Sequence, residues 1–141
     1  MSTEANKQTV RKMFESMDKG DGGTWHPLLA PNFTAQFAGN GHAMNAEQFK
    51  GMERMFATSF ANGRHIIENQ VAEGDCVETR ILWTALHVAD FNGIPASRKP
   101  VKIAAVAFDR LANGKIVEHR AVVDVMSLMN QIGAIPATAA A

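Results

Sequence analysis

The sequence predicts an α+β domain in which helices cover one face of a curved antiparallel sheet. Three observations predict it. Apolar residues recur at helical spacing up to Phe60, the period changes to two from Arg64 onward, and the breaks between the later runs are short. Short breaks suit hairpins, whereas a parallel sheet needs a long crossover between successive strands. At 141 residues the chain has the length of one domain, read here as 1–133, with residues 134–141 as a frayed tail.

The first helix is read over 4–18, where Val10, Met13, Phe14 and Met17 form one stripe opposite Lys7, Arg11 and Lys12. Gly20, Gly22 and Gly23 stop it. Thr24 is expected to cap a short turn through Trp25–Ala30 that Pro31 ends, and Phe33, Ala35 and Phe37 then alternate as a strand. Asn45 and Gln48 have the spacing of a capping box, and Phe49, Met52, Phe56 and Phe60 continue the stripe of a second helix over about 46–60, up to Asn62-Gly63. Four strands follow, at 64–73, 76–90, 99–110 and 115–124, read as an antiparallel meander. A last helix through Val125–Ile132 ends with Gly133 at C′.

Composition narrows the function. Fourteen basic and fourteen acidic residues cancel, without a run of either sign, so a phosphate-tracking surface is not expected and nucleic acid is not a partner. No apolar stretch approaches the ~20 residues that span a bilayer, and the N-terminus lacks the apolar centre of a signal peptide; the expectation is a soluble, cytoplasmic protein with no membrane partner. Cys76 is the lone cysteine and is read as a structural thiol. There is no tyrosine, so proton chemistry falls to His, Asp, Glu, Lys or water. Neither a spaced metal-ligand motif nor a glycine-rich phosphate loop is present, and no metal or cofactor is expected.

Strand alternation separates the faces, because charged residues mark the water side. Glu78 and Arg80 send Val77, Thr79, Ile81, Trp83, Ala85 and His87 inward. Lys102 and Arg110 do the same for Val101, Ile103, Ala105 and Ala107, and Glu118 and Arg120 for Val117, His119, Ala121 and Val123. On the first long strand, Arg64, Glu68 and Gln70 leave His65, Ile67, Asn69 and Val71 inside. His119 and His87 thus look into an apolar interior, beside Trp83 and the small Ala105, Ala107 and Ala121 that leave room for a ligand. They are read as acid/base groups or ligand anchors, against the alternative of core histidines satisfied by backbone or water. His26, His42 and His65 sit at turns or strand ends and are given no role. Asp124 has two readings, a cap of the last helix or a catalytic carboxylate.

The segments AEGDCVETRILWTALHVADFNGIPASRKPV and LANGKIVEHRAVVDVMSLMNQIG resemble the SnoaL-like polyketide cyclase, or ester cyclase, family, and the likeness runs to about Gly133. The resemblance implies a nuclear-transport-factor-two-like fold: a cone-shaped barrel of curved antiparallel sheet with helices over its concave face, enclosing an apolar pocket, commonly a homodimer through the sheet. It also implies cofactor-free ring closure by aldol addition, with an Asp two residues after the motif His as acid/base. That position is Ala121, and the family's assisting Gln and His fall at Ala105 and Ala107. The expectation is therefore an enzyme of this ancestry, whether cyclase, isomerase or hydrolase, acting on a small apolar carbonyl-bearing or polyketide-like molecule. His119 would transfer the proton, His87 and Asp124 are the further candidates, and Trp83 and Phe56 would supply apolar contact. The alternative is a non-catalytic protein that sequesters a hydrophobic small molecule. An oxyanion hole of the ketosteroid isomerase kind needs a phenol and is not available here.

Overall fold

A computed structural model describes residues 2–134; most of the expected tail, 135–141, lies outside the described residues. Helix α1 runs Thr3–Asp18, started by the Ser2 side chain accepting from the Ala5 N–H at 3.0 Å. Its stripe buries Val10, Met13 and Phe14. A short α2, Gly22–Trp25, and a 3₁₀ turn, His26–Leu28, lead into β1, Leu29–Phe37. The cap of α2 is Asp21, which accepts from the Thr24 N–H, so Thr24 is the third helical residue and not the cap. Pro31 lies within β1 instead of ending a turn.

After the two-residue β2, Met44–Asn45, helix α3 spans Ala46–Ser59. Asn45 and Gln48 form the expected reciprocal capping box, each side chain bonding the other's backbone N–H at 2.9 Å. The chain passes directly into β3, Phe60–Glu73, so Asn62-Gly63 is a bulge inside a strand, not a break before one. Asn62 takes the left-handed conformation there, with φ 57°, and a Cβ on Gly63 would touch the Trp83 indole nitrogen at 3.4 Å.

Strands β4, Cys76–His87, β5, Pro100–Ala112, and β6, Lys115–Val123, complete the meander, and α4, Val125–Gln131, closes it. Gly133 occupies C′, with its N–H on the Asn130 carbonyl and the Ala134 N–H on Met129, a Schellman ending.

The six strands form one curved, open sheet in the order β2-β1-β6-β5-β4-β3. Its one parallel pair, β1 with β6, joins strands from opposite ends of the chain. Rows across the inner face follow from the register. Val77, Asp109, His119 and Ala35 share one row; Gln70, Thr79, Ala107, Ala121 and Phe37 share the next; Ile67, Ile81, Ala105 and Val123 the third; His65, Trp83 and Ile103 the fourth. Inward parity holds along β4 and β5 and from His119 to Val123 on β6; a bulge at Val117 puts Ile116 in the core opposite Leu111. On β3 it fails beyond a bulge at Glu68, which turns Asn69 and Val71 to solvent and Gln70 inward, onto the Thr79 hydroxyl.

Two apolar clusters fill the space between helices and sheet. One joins α1 and α3 to the sheet through Val10, Met13, Phe14, Phe33 and Phe49; the other gathers Phe60, Phe91, Val101, Ile103 and Leu128, with Phe56 and Trp83 against it. Burial of each such phenyl ring contributes roughly 1.5–3 kcal/mol.

Candidate active site

His119 stands in the first row of β6, 4% exposed, and its Nδ1 lies 2.6 Å from Oδ1 of Asp109, its cross-strand neighbour on β5. Both face inward because each lies an even number of residues from a buried alanine, Ala121 and Ala107. The Asp109 bond uses Nδ1, so Nε2 is the nitrogen left for proton transfer; it has no hydrogen-bond partner among the described residues. Phe49, Phe37 and Phe14 surround the imidazole with centroids at 5.3, 6.0 and 6.2 Å. Burial opposes protonation of His119, but the Asp109 carboxylate, by charge and hydrogen bond, and Glu53 beyond it outweigh burial and hold the imidazole above its ordinary value.

A second imidazole–carboxylate pair shares the Phe14 ring. His65 on β3 packs against Phe14 with the rings tilted by 37° and centroids 4.9 Å apart, and its Nδ1 meets Oδ1 of Asp18, the last residue of α1, at 2.6 Å. The other Asp18 oxygen accepts from the His65 backbone N–H at 2.8 Å, so one carboxylate fixes both strand and ring.

Glu53 completes the group. It lies one helical turn beyond Phe49 on α3, half-buried, and desolvation is the main cause that pushes its carboxyl above the usual range, with Asp18 adding to it and the imidazoles of His65 and His119 opposing.

Of the residues picked from sequence, His119 lies at the centre of this group, with Ala107 and Ala121 in the adjacent row and Ala105 in the one after. Trp83 is the cross-strand partner of His65, and Phe56 packs edge-on against it at 6.0 Å. His87 is inward and fully buried, but the structure does not pair it with His119. It lies ten residues along β4 from Val77, the strand neighbour of Asp109, or roughly 30 Å of strand. There its Nδ1 accepts from the Ser97 N–H at 3.0 Å and its ring stacks on Phe60, which pins the β4–β5 loop. Asp124 is exposed and caps α4, accepting from the Ser127 N–H at 3.0 Å.

Asp109, Glu53, Asp18 and the pairing of His65 were not singled out from sequence. Asp109 continues the inward parity of Ala105 and Ala107 by one step, and Glu53 is a charge on an apolar helical stripe; both were legible signals. Asp18 and His65 meet only through tertiary structure, and nothing local marks them.

Cys76 is exposed at the β3–β4 turn, with its thiol pushed up by desolvation and by the Asp75 carboxylate, and so is a poor nucleophile. Among the described residues no group of three His, Cys, Asp or Glu converges as a metal site, and no helix is long and apolar enough to cross a membrane.

Two open grooves lie outside the cluster. One of about 400 Å³ runs between Asn62, Thr84, Pro100 and Gln131. The other, about 560 Å³, is lined by Phe37, Gly39, Gly41, Phe108, Arg120 and Ala121, so the Phe37 ring that touches His119 also walls this groove.

A family model described as SnoaL-like polyketide cyclase matches residues 7–132. The chain belongs to that family. A comparison with curated protein sequences found no match. Among solved structures, a candidate SnoaL-like polyketide cyclase from Jannaschia sp. CCS1 is similar at 27% identity and TM-score 0.86, with 95% of each chain covered. AclR, a candidate hydroxylase from Streptomyces galilaeus, is similar at 21% identity and TM-score 0.88, covering 96% of this chain and 100% of its own. IdmH, a candidate polyketide cyclase from Streptomyces antibioticus, is similar at 24% identity and TM-score 0.83, covering 91% and 98%. The fold is therefore shared with these proteins at 21–27% sequence identity.

Proposed function

We propose that this SnoaL-like protein is a cofactor-free acid/base enzyme of the cyclase type, acting on a small apolar carbonyl-bearing or polyketide-like molecule, with His119 as the proton-transfer group. The observation that carries the reading is the buried His119–Asp109 pair in an aromatic surround. Asp109 holds the ring in one orientation, favours the imidazolium, and leaves Nε2 to take a proton from a carbon beside a carbonyl or to return it to the developing oxyanion. The family's acid/base position is Ala121 by sequence, and Asp109 on the neighbouring strand supplies a carboxylate in its place. Trp83 and Phe56 supply an apolar wall on the His65 side.

The rival reading, a sequestering protein, draws its support from the three alanines at 105, 107 and 121. Native mass spectrometry of the purified protein, with denaturing extraction of any retained molecule, separates the two. The proposal expects that molecule to be converted by the protein and not by a folded His119→Ala variant. A molecule held unchanged by both would establish the rival.

We further propose a cytoplasmic homodimer formed through the outer face of the sheet. Ile66, Phe108 and Val122 are 43%, 48% and 54% exposed there, between the opposite charges of Arg80, Glu118 and Arg120. An apolar patch rimmed by both signs suits a second copy of itself.

A further inference from the structure

Of the three histidines on the inner face, His87 alone has no carboxylate partner among the described residues; His119 has Asp109 and His65 has Asp18. Its ring is fully buried and stacks on Phe60 with centroids 5.1 Å apart. The Ser97 backbone N–H meets Nδ1 at 3.0 Å, and the Ser97 hydroxyl lies 2.9 Å from the same atom. A hydroxyl can turn to donate or accept, but a backbone N–H only donates, so Nδ1 is unprotonated and the ring's single proton is on Nε2. Nε2 is buried without a partner among the described residues.

The same residue closes the β4–β5 loop, residues 88–99. Its backbone N–H donates to the Lys99 carbonyl and its carbonyl accepts from the Arg98 N–H, both at 3.0 Å. Arg98 is held at φ 61°, a left-handed conformation that is costly for a residue other than glycine. The loop's other arm is tied to Ser59, whose carbonyl accepts from the Val88 and Ala89 N–H groups and whose hydroxyl donates to the Asp90 carbonyl at 2.7 Å. Between the arms Phe91 pairs with Ile94 and packs on Phe56 and Phe60, with centroids at 5.4 and 5.2 Å.

We propose that His87 is a proton-controlled latch: neutral, it holds the Ser97–Lys99 arm of this loop down, and protonated, it lets the arm go. A proton on Nδ1 would face the Ser97 N–H, donor against donor, and would bury a charge with no anion to meet it. The charged groups on the elements around the ring are Asp90, Arg98 and Lys99 on the loop, Lys102 on β5 and Arg64 on β3, with none on α4. None of them bonds the ring among the described residues, and the loop's one carboxylate, Asp90, accepts from the Gly93 N–H at 3.1 Å. Docking and protonation therefore exclude each other. Opening takes up one proton and becomes more favourable as pH falls, by up to about tenfold per pH unit below ~6.5, where a free imidazole titrates. Release of the arm loosens the hold on Phe91, which packs on Phe56, one of the apolar contacts read above for substrate. The latch itself does not depend on that reading or on the role of His119.

Amide hydrogen exchange followed by NMR at pH 7.5 and 5.0, corrected for the intrinsic rate at each pH, tests it. Full exclusion of the proton gives about a thirtyfold loss of protection at Ser97 and Arg98, with the amides of the β4–β5 ladder from Val77 to Trp83 unchanged. Long-range ¹H–¹⁵N spectra at pH 7.5 should show His87 with its proton on Nε2. In His87→Asn the side-chain oxygen stands near the place of Nδ1 and does not titrate, so the loss at Ser97 and Arg98 should fall to less than about fivefold. A loss below about fivefold in wild type, an equal loss throughout the ladder, a proton on Nδ1, or a loss of wild-type size in folded His87→Asn would each overturn the latch. The first three are read on the wild-type protein, so the proposal can fail even where the variant does not fold.

Discussion

Replacing Asp109 by Asn tests the pair at the centre of the site with little change of volume. The carboxylate is buried, with Oδ1 on His119 Nδ1 at 2.6 Å and Oδ2 lacking a partner. The amide NH₂ would occupy that orphaned place, so no new buried loss is created there, and the cost comes from the bond to His119. With the imidazole neutral, a charge-assisted hydrogen bond becomes an ordinary one, at a cost of about 1 kcal/mol. With the imidazole protonated, a buried ion pair loses one partner, and such losses run to about 3–5 kcal/mol. His119 is held above its ordinary value, so the pair's contribution is full below the unfolded value of about 6.5 and is lost as pH rises through the folded one. The destabilisation should thus shrink between pH 6 and pH 9. For a chain of this length 1 kcal/mol is worth about 3 °C, so Tm should fall by about 10 °C at pH 6 and by about 3 °C at pH 9. Urea unfolding at both pH values, with equal slopes checked, measures it. A loss that is the same at both would refute the ion-pair account.

Three other substitutions have defined outcomes. Phe49→Ala removes a ring packed on Trp25, Phe33, Phe37 and His119, and should cost about 3–5 kcal/mol in urea unfolding; a cost under about 1 kcal/mol would show that this cluster is loosely packed. Asp124→Ala should cost about 1 kcal/mol through the lost cap of α4 while leaving the His119 titration unmoved, and a moved titration would restore a site role for Asp124. Phe108→Glu places a charge on the outer sheet face; sedimentation should change from dimer to monomer, and an unchanged dimer would place the interface elsewhere.

Much of this architecture is legible because local rules agree along β4, β5 and α3. The β4–β5 register runs without a shift, so the charged marks at Glu78, Arg80 and Lys102 sort every neighbour correctly, and the Asn45–Gln48 box locates the start of α3. Where one extra residue enters, at the Glu68 bulge, alternation reverses and Asn69 and Val71 go to the water side. The β1–β6 pairing joins strands distant in sequence and has no local signal. The site divides in the same way. His119 follows from alternation, and Asp109 needed that alternation carried two residues past Ala107. His87 shares the inward parity of His119, yet parity says nothing of position along the sheet, and the two imidazoles serve different clusters. Asp18 reaches His65 across 47 residues of sequence, a contact that only the packing of α1 on β3 creates.

The most direct measurement is deuterium incorporation beside the carbonyl of bicyclic aromatic ketones, 1-tetralone and 2-acetylnaphthalene, followed by NMR in D₂O with wild type and His119→Ala. The account predicts protein-dependent exchange that is lost in a folded His119→Ala variant. Exchange of equal rate in both proteins would contradict the assignment of His119.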